Sequence, residues 1–210
     1  MKAVIFDQDG VILDSIPFHV SIWKETMREY GVDDSYDIGS MNGKGTSEIA
    51  SFFAEKLNMS PEEIIRIKEA KNRSRIGELK LFPGARELII SLSKEFAVGL
   101  GTSETRGLVK LEDSHLHYLD LFKVWVCADD VQNAKPAPDI FLKVAEKLGV
   151  VPEECVVIED AINGIIAAKA AGMKCIGLRN PFVSPEGLAK ADVIVENLSE
   201  ITTDMIKNLR

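Results

Sequence analysis

The chain has 210 residues, 46% hydrophobic and 28% charged, the profile of a folded globular protein with room for one sizeable core and a smaller insert. Its net charge of -8 argues against a basic nucleic-acid surface and obliges any phosphate site to be built from local cations. No run approaches the roughly 18 apolar residues of a membrane helix, and the opening Met1 to Phe6 is too short for a signal peptide.

In chain order, Ala3 to Phe6 is an apolar run too short for a helix and reads as a buried strand. About ninety residues of largely helical pattern separate it from the next strand. Phe18, Trp23, Met27 and Tyr30 form one stripe, closed by Gly31, and Ile49, Phe52, Phe53 and Leu57 form another. Ser60-Pro61-Glu62-Glu63 starts a third helix, with Ser as N-cap, Pro at the first position and Glu three residues after the cap. Pro83-Gly84 punctuates the chain before a helix over Ala85 to Ser93. A strand-to-strand crossover needs only about thirty residues including its helix. The surplus, residues 15–80, is expected to form a helical cap on a core made of 1–14 and 81–210. Further strands are predicted at Ala97 to Gly101, Val124 to Cys127, Cys155 to Ile158, Lys174 to Leu178 and Val193 to Val195. Between them run helices with faces at Leu142, Ala145 and Leu148, ended by Gly149, and at Ile162, Ile165, Ile166, Ala168 and Ala170, ended by Gly172. Fully apolar strands alternating with helices predict an α/β fold, a parallel sheet covered on both faces. Cys127, Cys155 and Cys175 match no zinc spacing and read as reduced, buried cysteines of a cytoplasmic protein.

Ligands in open parallel sheets bind beyond the carboxyl ends of the strands. Asp7-Gln8-Asp9-Gly10 follows the first strand, Thr102-Ser103 the second, and Glu159-Asp160 the strand at Cys155, while Lys135-Pro136 lies in the loop after Val124 to Cys127. Each has a bland reading: a helix N-cap for Thr102, a solvated charge for Lys135, a helix-start pair for Glu159-Asp160. Their convergence on one edge is explained by a Mg²⁺ and phosphate site. Mg²⁺ takes hard oxygen ligands and offsets carboxylate repulsion, and Lys135 and Thr102 can bind phosphoryl oxygens. A carboxylate in line with phosphorus can attack it, and a second carboxyl two residues on can move the proton. Asp129-Asp130 reads as loop-structuring, and the spacing of His115 and His117 puts them on different sides of a helix.

Four segments resemble, in order and spacing, the haloacid dehalogenase-like superfamily: Phe6-Asp7-Gln8-Asp9-Gly10-Val11, Leu100-Gly101-Thr102-Ser103, Lys135-Pro136-Ala137-Pro138-Asp139, and Ile158-Glu159-Asp160-Ala161-Ile162-Asn163-Gly164. The resemblance implies a Rossmann-like core with a mobile helical cap. It implies Asp7 as nucleophile, Asp9 as general acid and base, and Thr102, Ser103 and Lys135 as phosphate binders. Magnesium would be held by the Asp7 carboxylate, the Asp9 backbone carbonyl and Asp160, with Glu159 close by. The presence of Asp9 points to phosphate esters rather than haloacids.

The nearest subgroup in appearance is β-phosphoglucomutase-like. His19 and the Lys71-Asn72 pair fall where that enzyme's cap and hinge residues meet substrate, and the loop containing Gly43, Lys44 and Thr46 resembles its specificity loop. Where the mutase has an arginine for a second phosphate, this chain has Thr46, and Lys44 offers a point charge but not a bidentate fork. A Mg²⁺-dependent phosphatase of a small phosphorylated metabolite is therefore the expected function. A sugar-phosphate mutase and a catalytically silent phosphometabolite-binding module are the alternatives, and a monomer or weak oligomer is expected.

Overall fold

Alternation along the first strand fixes the layers. In the computed structural model, which describes residues 1–32 and 45–209, β1 (Ala3–Phe6) is fully buried, with Val4 and Phe6 facing one side and Ala3 and Ile5 the other. Five more strands, β2 (Ala97–Gly101), β3 (Val124–Val126), β4 (Cys155–Glu159), β5 (Lys174–Leu178) and β6 (Val193–Val195), complete an all-parallel sheet of order β3-β2-β1-β4-β5-β6. The chain builds outward from β1 in one direction, then restarts at β4 and builds in the other, so the switch point lies between β1 and β4.

Both faces are covered, as a parallel sheet requires. On one face α4 (Ala85–Leu92), α5 (Arg106–Leu116) and α9 (Thr203–Asn208) supply Ile89, Leu92, Val109 and Ile206 against Val4, Phe6, Leu100 and Ile158. On the other, α6 (Asp139–Leu148) and α7 (Ile162–Ala170) supply Ile140, Phe141, Val144 and Ile165 against Ala3, Ile5 and Val157, with α8 (Pro185–Leu188) at the margin. Gly149 caps α6 in the left-handed conformation its missing Cβ permits.

The intervening chain is helical: α1 (Ile16–Glu29), α2 (Thr46–Leu57) and α3 (Pro61–Arg75). Ser60 accepts a hydrogen bond from the Glu63 amide at the start of α3. The three helices share their own apolar cluster of Trp23, Met27, Ile49, Ala50, Phe53, Leu57 and Ile64, apart from the two sheet cores. Among the described residues no helix is long and apolar enough to cross a membrane.

The structure corrects details of the sequence reading. Cys127 leaves the sheet because its amide is taken by the Asp130 carboxylate at 2.9 Å, opening a 3₁₀ turn over Ala128–Asp130. Arg106 clamps the same carboxylate at 2.7 Å, so Asp130 braces this loop. The strand at Cys155 runs one residue further because Glu159 pairs with Gly177. Tyr30, Phe52, Leu142 and Ile162, assigned to buried stripes, are exposed. In each case a neighbour one or three positions away occupies the packed face: Met27, Phe53, Phe141 and Ile165. The three cysteines are buried and unpaired.

Phe53 lies at the centre of the helical cluster with no exposed surface. Phe53→Ala is expected to cost about 3–5 kcal/mol, the usual loss on emptying an aromatic core site. Urea denaturation checks it, and a loss below about 1 kcal/mol would place Phe53 outside a packed core.

Candidate active site

Strand register places the chemistry. Phe6 pairs with Ile158 on one side and with Leu100 on the other, and the Asp7 amide continues the ladder to the Ile158 carbonyl at 2.9 Å. The residues that follow, Asp7, Thr102 and Glu159-Asp160, therefore emerge side by side at the switch point. Beyond Asp7 the chain turns at once. The amides of Ile12 and Leu13 both reach the Gln8 carbonyl, and Gly10 sits at φ +80. A Cβ on Gly10 would come within 2.0 Å of Asp160 Oδ2, so this position needs glycine for its backbone and for the close approach of the two acidic loops.

Lys135 ties those loops together. Its Nζ donates to Asp7 Oδ1 at 2.5 Å, to Glu159 Oε1 at 2.9 Å and to the Gly101 carbonyl at 3.3 Å, and it stands 4.6 Å above the Phe141 ring. Glu159 is held further by the Ala161 amide at 2.7 Å, and Asp160 by the Asn180 side chain at 2.6 Å. Carboxylate oxygens of Asp7, Glu159 and Asp160 all lie within 4.8 Å of one another, and all three residues are buried. Two carboxylates about 4 Å apart repel by about 4 kcal/mol at an effective dielectric near 20. One lysine among three carboxylates leaves excess negative charge that a divalent cation would balance, and the all-oxygen donor set suits Mg²⁺. Burial pushes the Asp7 carboxyl up to about 8; Lys135 pulls against that rise and the Glu159 charge adds to it. Burial alone would lower Lys135, but Asp7 and Glu159 overcome it and hold the ammonium above the ordinary lysine range.

Thr102 is buried beside this cluster, its hydroxyl oxygen accepting the Glu104 amide at 3.0 Å, and Ser103 is half-buried next to it. The Asp9 side chain is turned toward the helices. Ser15 donates to its Oδ1 at 2.5 Å and His19 Nε2 lies 3.3 Å from the same oxygen. Burial works to raise the Asp9 carboxyl, yet the His19 and Ser15 bonds outweigh it and leave it below the ordinary range. Gln8, between the two aspartates, points into the core, donating to Glu112 at 2.8 Å and accepting from the Tyr118 hydroxyl at 3.1 Å. The two aspartates of the turn thus face different partners, one the sheet edge and one the cap.

The haloacid dehalogenase-like hydrolase profile matches residues 4–178. The chain belongs to this family. Among its relatives, the fructose-1-phosphate phosphatase YqaB of Escherichia coli (strain K12) is 36% identical over 182 residues, 84% of this chain and 95% of that protein. A phosphorylated carbohydrates phosphatase of Thermotoga maritima is 39% identical over 184 residues, 84% of each chain. The crystal structure of β-phosphoglucomutase (pgmB) from Clostridium difficile superposes with a TM-score of 0.82 at 31% identity, covering 99% of this chain and 96% of that one. The chain is a phosphoric monoester hydrolase of the haloacid dehalogenase type.

The cap side of this haloacid dehalogenase-like hydrolase differs from the sequence expectation. Lys71, expected to meet substrate, is engaged within the helices: its Nζ donates to Glu25 and Glu29 of α1, each at 2.7 Å, because those carboxylates lie opposite it where α3 packs on α1. The lysine beside the core is Lys68, one turn earlier and almost fully buried, with its Nζ 2.5 Å from Thr46 Oγ1 and 3.6 Å from Glu104. Asn72 is fully buried, and neither of its amide atoms has a partner among the described residues. Gly43 and Lys44 lie outside the described residues.

Sequence reasoning missed Ser15, Lys68, Glu104, Glu112 and Asn180. Three carried a signal. Lys68 stands between Ile64 and Asn72 at helical spacing on a buried face, Glu112 interrupts the apolar stripe of Leu108 and Val109, and Asn180 follows a strand end at the same sheet edge.

Gly164 gives a local test of the packing. A Cβ there would fall 1.5 Å from Glu159 Oε1, whereas one on Gly107 meets nothing within 4 Å. Gly164→Ala is expected to destabilise by about 1–3 kcal/mol through overpacking. Gly107→Ala is expected to be neutral or to stabilise by up to about 1 kcal/mol. Urea denaturation of the pair checks both, and equal midpoints would contradict the Glu159 placement.

Proposed function

We propose that the chain hydrolyses a small phosphorylated sugar or polyol through an aspartyl-phosphate on Asp7. The observation that carries this reading is the buried cluster of Asp7, Lys135, Glu159 and Asp160 at the switch point. The relatives that act on fructose 1-phosphate and on phosphorylated carbohydrates support the substrate class. Helices α1 to α3, within residues 15–80, act as the cap over a core of 1–14 and 81–210.

Asp7, Asp160 and the Asp9 carbonyl, with Glu159 nearby, would hold Mg²⁺, which when bound neutralises carboxylate and phosphoryl charge and orients the ester. Lys135 and the Thr102 hydroxyl take phosphoryl oxygens, and the Asp7 carboxylate attacks phosphorus in line. Ser103 contributes beside Thr102. Asp9 gives a proton to the leaving oxygen and later removes one from the water that hydrolyses the intermediate. In the arrangement described it is ionised, held by Ser15 and His19. An incoming phosphate raises its pKa by like charge, toward the protonated form a donor needs.

Asp7→Asn is expected to lower phosphate release by several orders of magnitude with an unchanged circular dichroism spectrum; substantial turnover in the purified variant overturns the nucleophile assignment. EDTA is expected to abolish activity and Mg²⁺ to restore it. A β-phosphoglucomutase-type reaction would convert β-glucose 1-phosphate to glucose 6-phosphate when primed with glucose 1,6-bisphosphate. Free phosphate is expected instead, because Thr46 stands where the mutase has an arginine.

A further inference from the structure

The core loop after β2 and the buried face of the cap meet in a polar cluster. Thr46 Oγ1 takes a hydrogen bond from Lys68 at 2.5 Å and offers its own hydrogen to Glu104, whose carboxylate oxygens lie at 3.3 and 3.4 Å. Lys68 Nζ itself stands 3.6 Å from Glu104 Oε1. Glu104, His19 and Asp9 each bring a ligand atom within 4.8 Å of the others. Asp9 is thus close enough to Asp7 for their charges to interact and shares a group of ligand atoms with Glu104. If Asp9 protonates the leaving oxygen, the carbon skeleton attached to that oxygen extends toward Glu104, Thr46 and Lys68.

Two further buried groups here have spare hydrogen-bonding capacity. Glu112 carries an Oε1 with no partner among the described residues, and it is close enough to Asp9, Glu104 and Lys68 to feel their charges. Burial, then Asp9 and Glu104, hold its carboxyl well above the ordinary range. Asn72, one turn beyond Lys68 on the same face of α3, has no partner for either amide atom among the described residues. Buried polar groups are ordinarily satisfied, so open groups of this kind mark where ligand hydroxyls can bond.

We propose that Glu104, with Lys68 and Thr46, is the subsite for the leaving group, and that it selects phosphomonoesters of uncharged polyols against esters carrying a second anionic group. This rests on the phosphatase reading above. A cation and a carboxylate 3.6 Å apart match a hydroxyl or a vicinal diol, which accepts from Lys68 and donates to Glu104. A second phosphate or a carboxylate complements only Lys68. It is opposed by Glu104 and Asp9, and it must break the Lys68–Glu104 pair to bind. Selection here works through a repulsive element as much as through an attractive one.

The test compares kcat/KM for fructose 1-phosphate, fructose 1,6-bisphosphate and 2-phosphoglycolate in the wild type, Glu104→Gln and Lys68→Gln, with p-nitrophenyl phosphate as a tail-independent control. The wild type is expected to prefer fructose 1-phosphate over either anionic ester by about tenfold or more. Glu104→Gln keeps the shape and a hydrogen-bonding side chain but removes the charge. It is expected to narrow that preference by about tenfold, chiefly through a lower KM for the anionic esters. Lys68→Gln is expected to widen it. A wild type without preference, or a preference unmoved in Glu104→Gln while p-nitrophenyl phosphate is still cleaved, overturns the subsite. Failure of the wild type on every ester, p-nitrophenyl phosphate included, overturns the phosphatase reading itself.

Discussion

The bridge from Lys135 to Asp7 and Glu159 is the constraint on which the rest of the site depends. Three carboxylates are brought together out of water at the ends of β1 and β4, an arrangement that repulsion and desolvation oppose. Lys135 offsets part of that cost by donating to one carboxylate from each loop, and Asn180 and the Ala161 amide hold the remaining oxygens. Residual negative charge of this kind makes the pocket receptive to a divalent cation and to the phosphoryl group that such a cation accompanies. The two close glycines belong to the same economy of space: without a Cβ at Gly10 or Gly164, Asp160 and Glu159 can pack directly on backbone.

Most of this frame was legible in the sequence because it rests on short-range rules. The strands are short, largely apolar runs, and all six were read to within a residue. The rule that parallel sheets present ligands at their carboxyl edges then gathered Asp7, Thr102, Lys135, Glu159 and Asp160 without any knowledge of register. Helix faces were harder. Stripes drawn through Leu142 and Ile162 failed because a short helix packed on a sheet buries an arc set by its tilt, and residues at the arc's edge stay exposed. The cap lysine failed for a related reason. Lys68 and Lys71 are three residues apart and both lie near the inward face. Only the position of Glu25 and Glu29 on α1 decides that Lys71 is consumed within the cap while Lys68 reaches the core loop. That is a tertiary fact, and no spacing rule contains it.

The Asp7-Gln8-Asp9 turn divides the labour by direction. Strand alternation would send residues 7 and 9 to one side and residue 8 to the other, and Gln8 does enter the core, anchored by Glu112 and Tyr118. The turn at Gly10 then separates the two aspartates: Asp7 stays with Lys135, and Asp9 reaches Ser15 and His19 at the start of α1. Because Ser15 and His19 sit where the chain leaves the core for the cap, the hydrogen bonds that set Asp9's charge also bind it to the segment that carries the cap.

The same geometry relates the identity of the residue at position 46 to the charge at position 104. A guanidinium at the start of α2 would place a strong cation against the core loop, and a carboxylate at 104 would then hold it as a buried ion pair rather than leave it for a substrate phosphate. A threonine there does the opposite. Its hydroxyl satisfies Lys68 and Glu104 together without adding charge, so the cleft remains polar with no net attraction for a second anion. Thr46 and Glu104 are therefore a matched pair. An enzyme that had to retain a bisphosphate through a reorientation between two phosphoryl transfers would need both positions changed, whereas one that releases a neutral alcohol after each transfer is served by the pair as it stands.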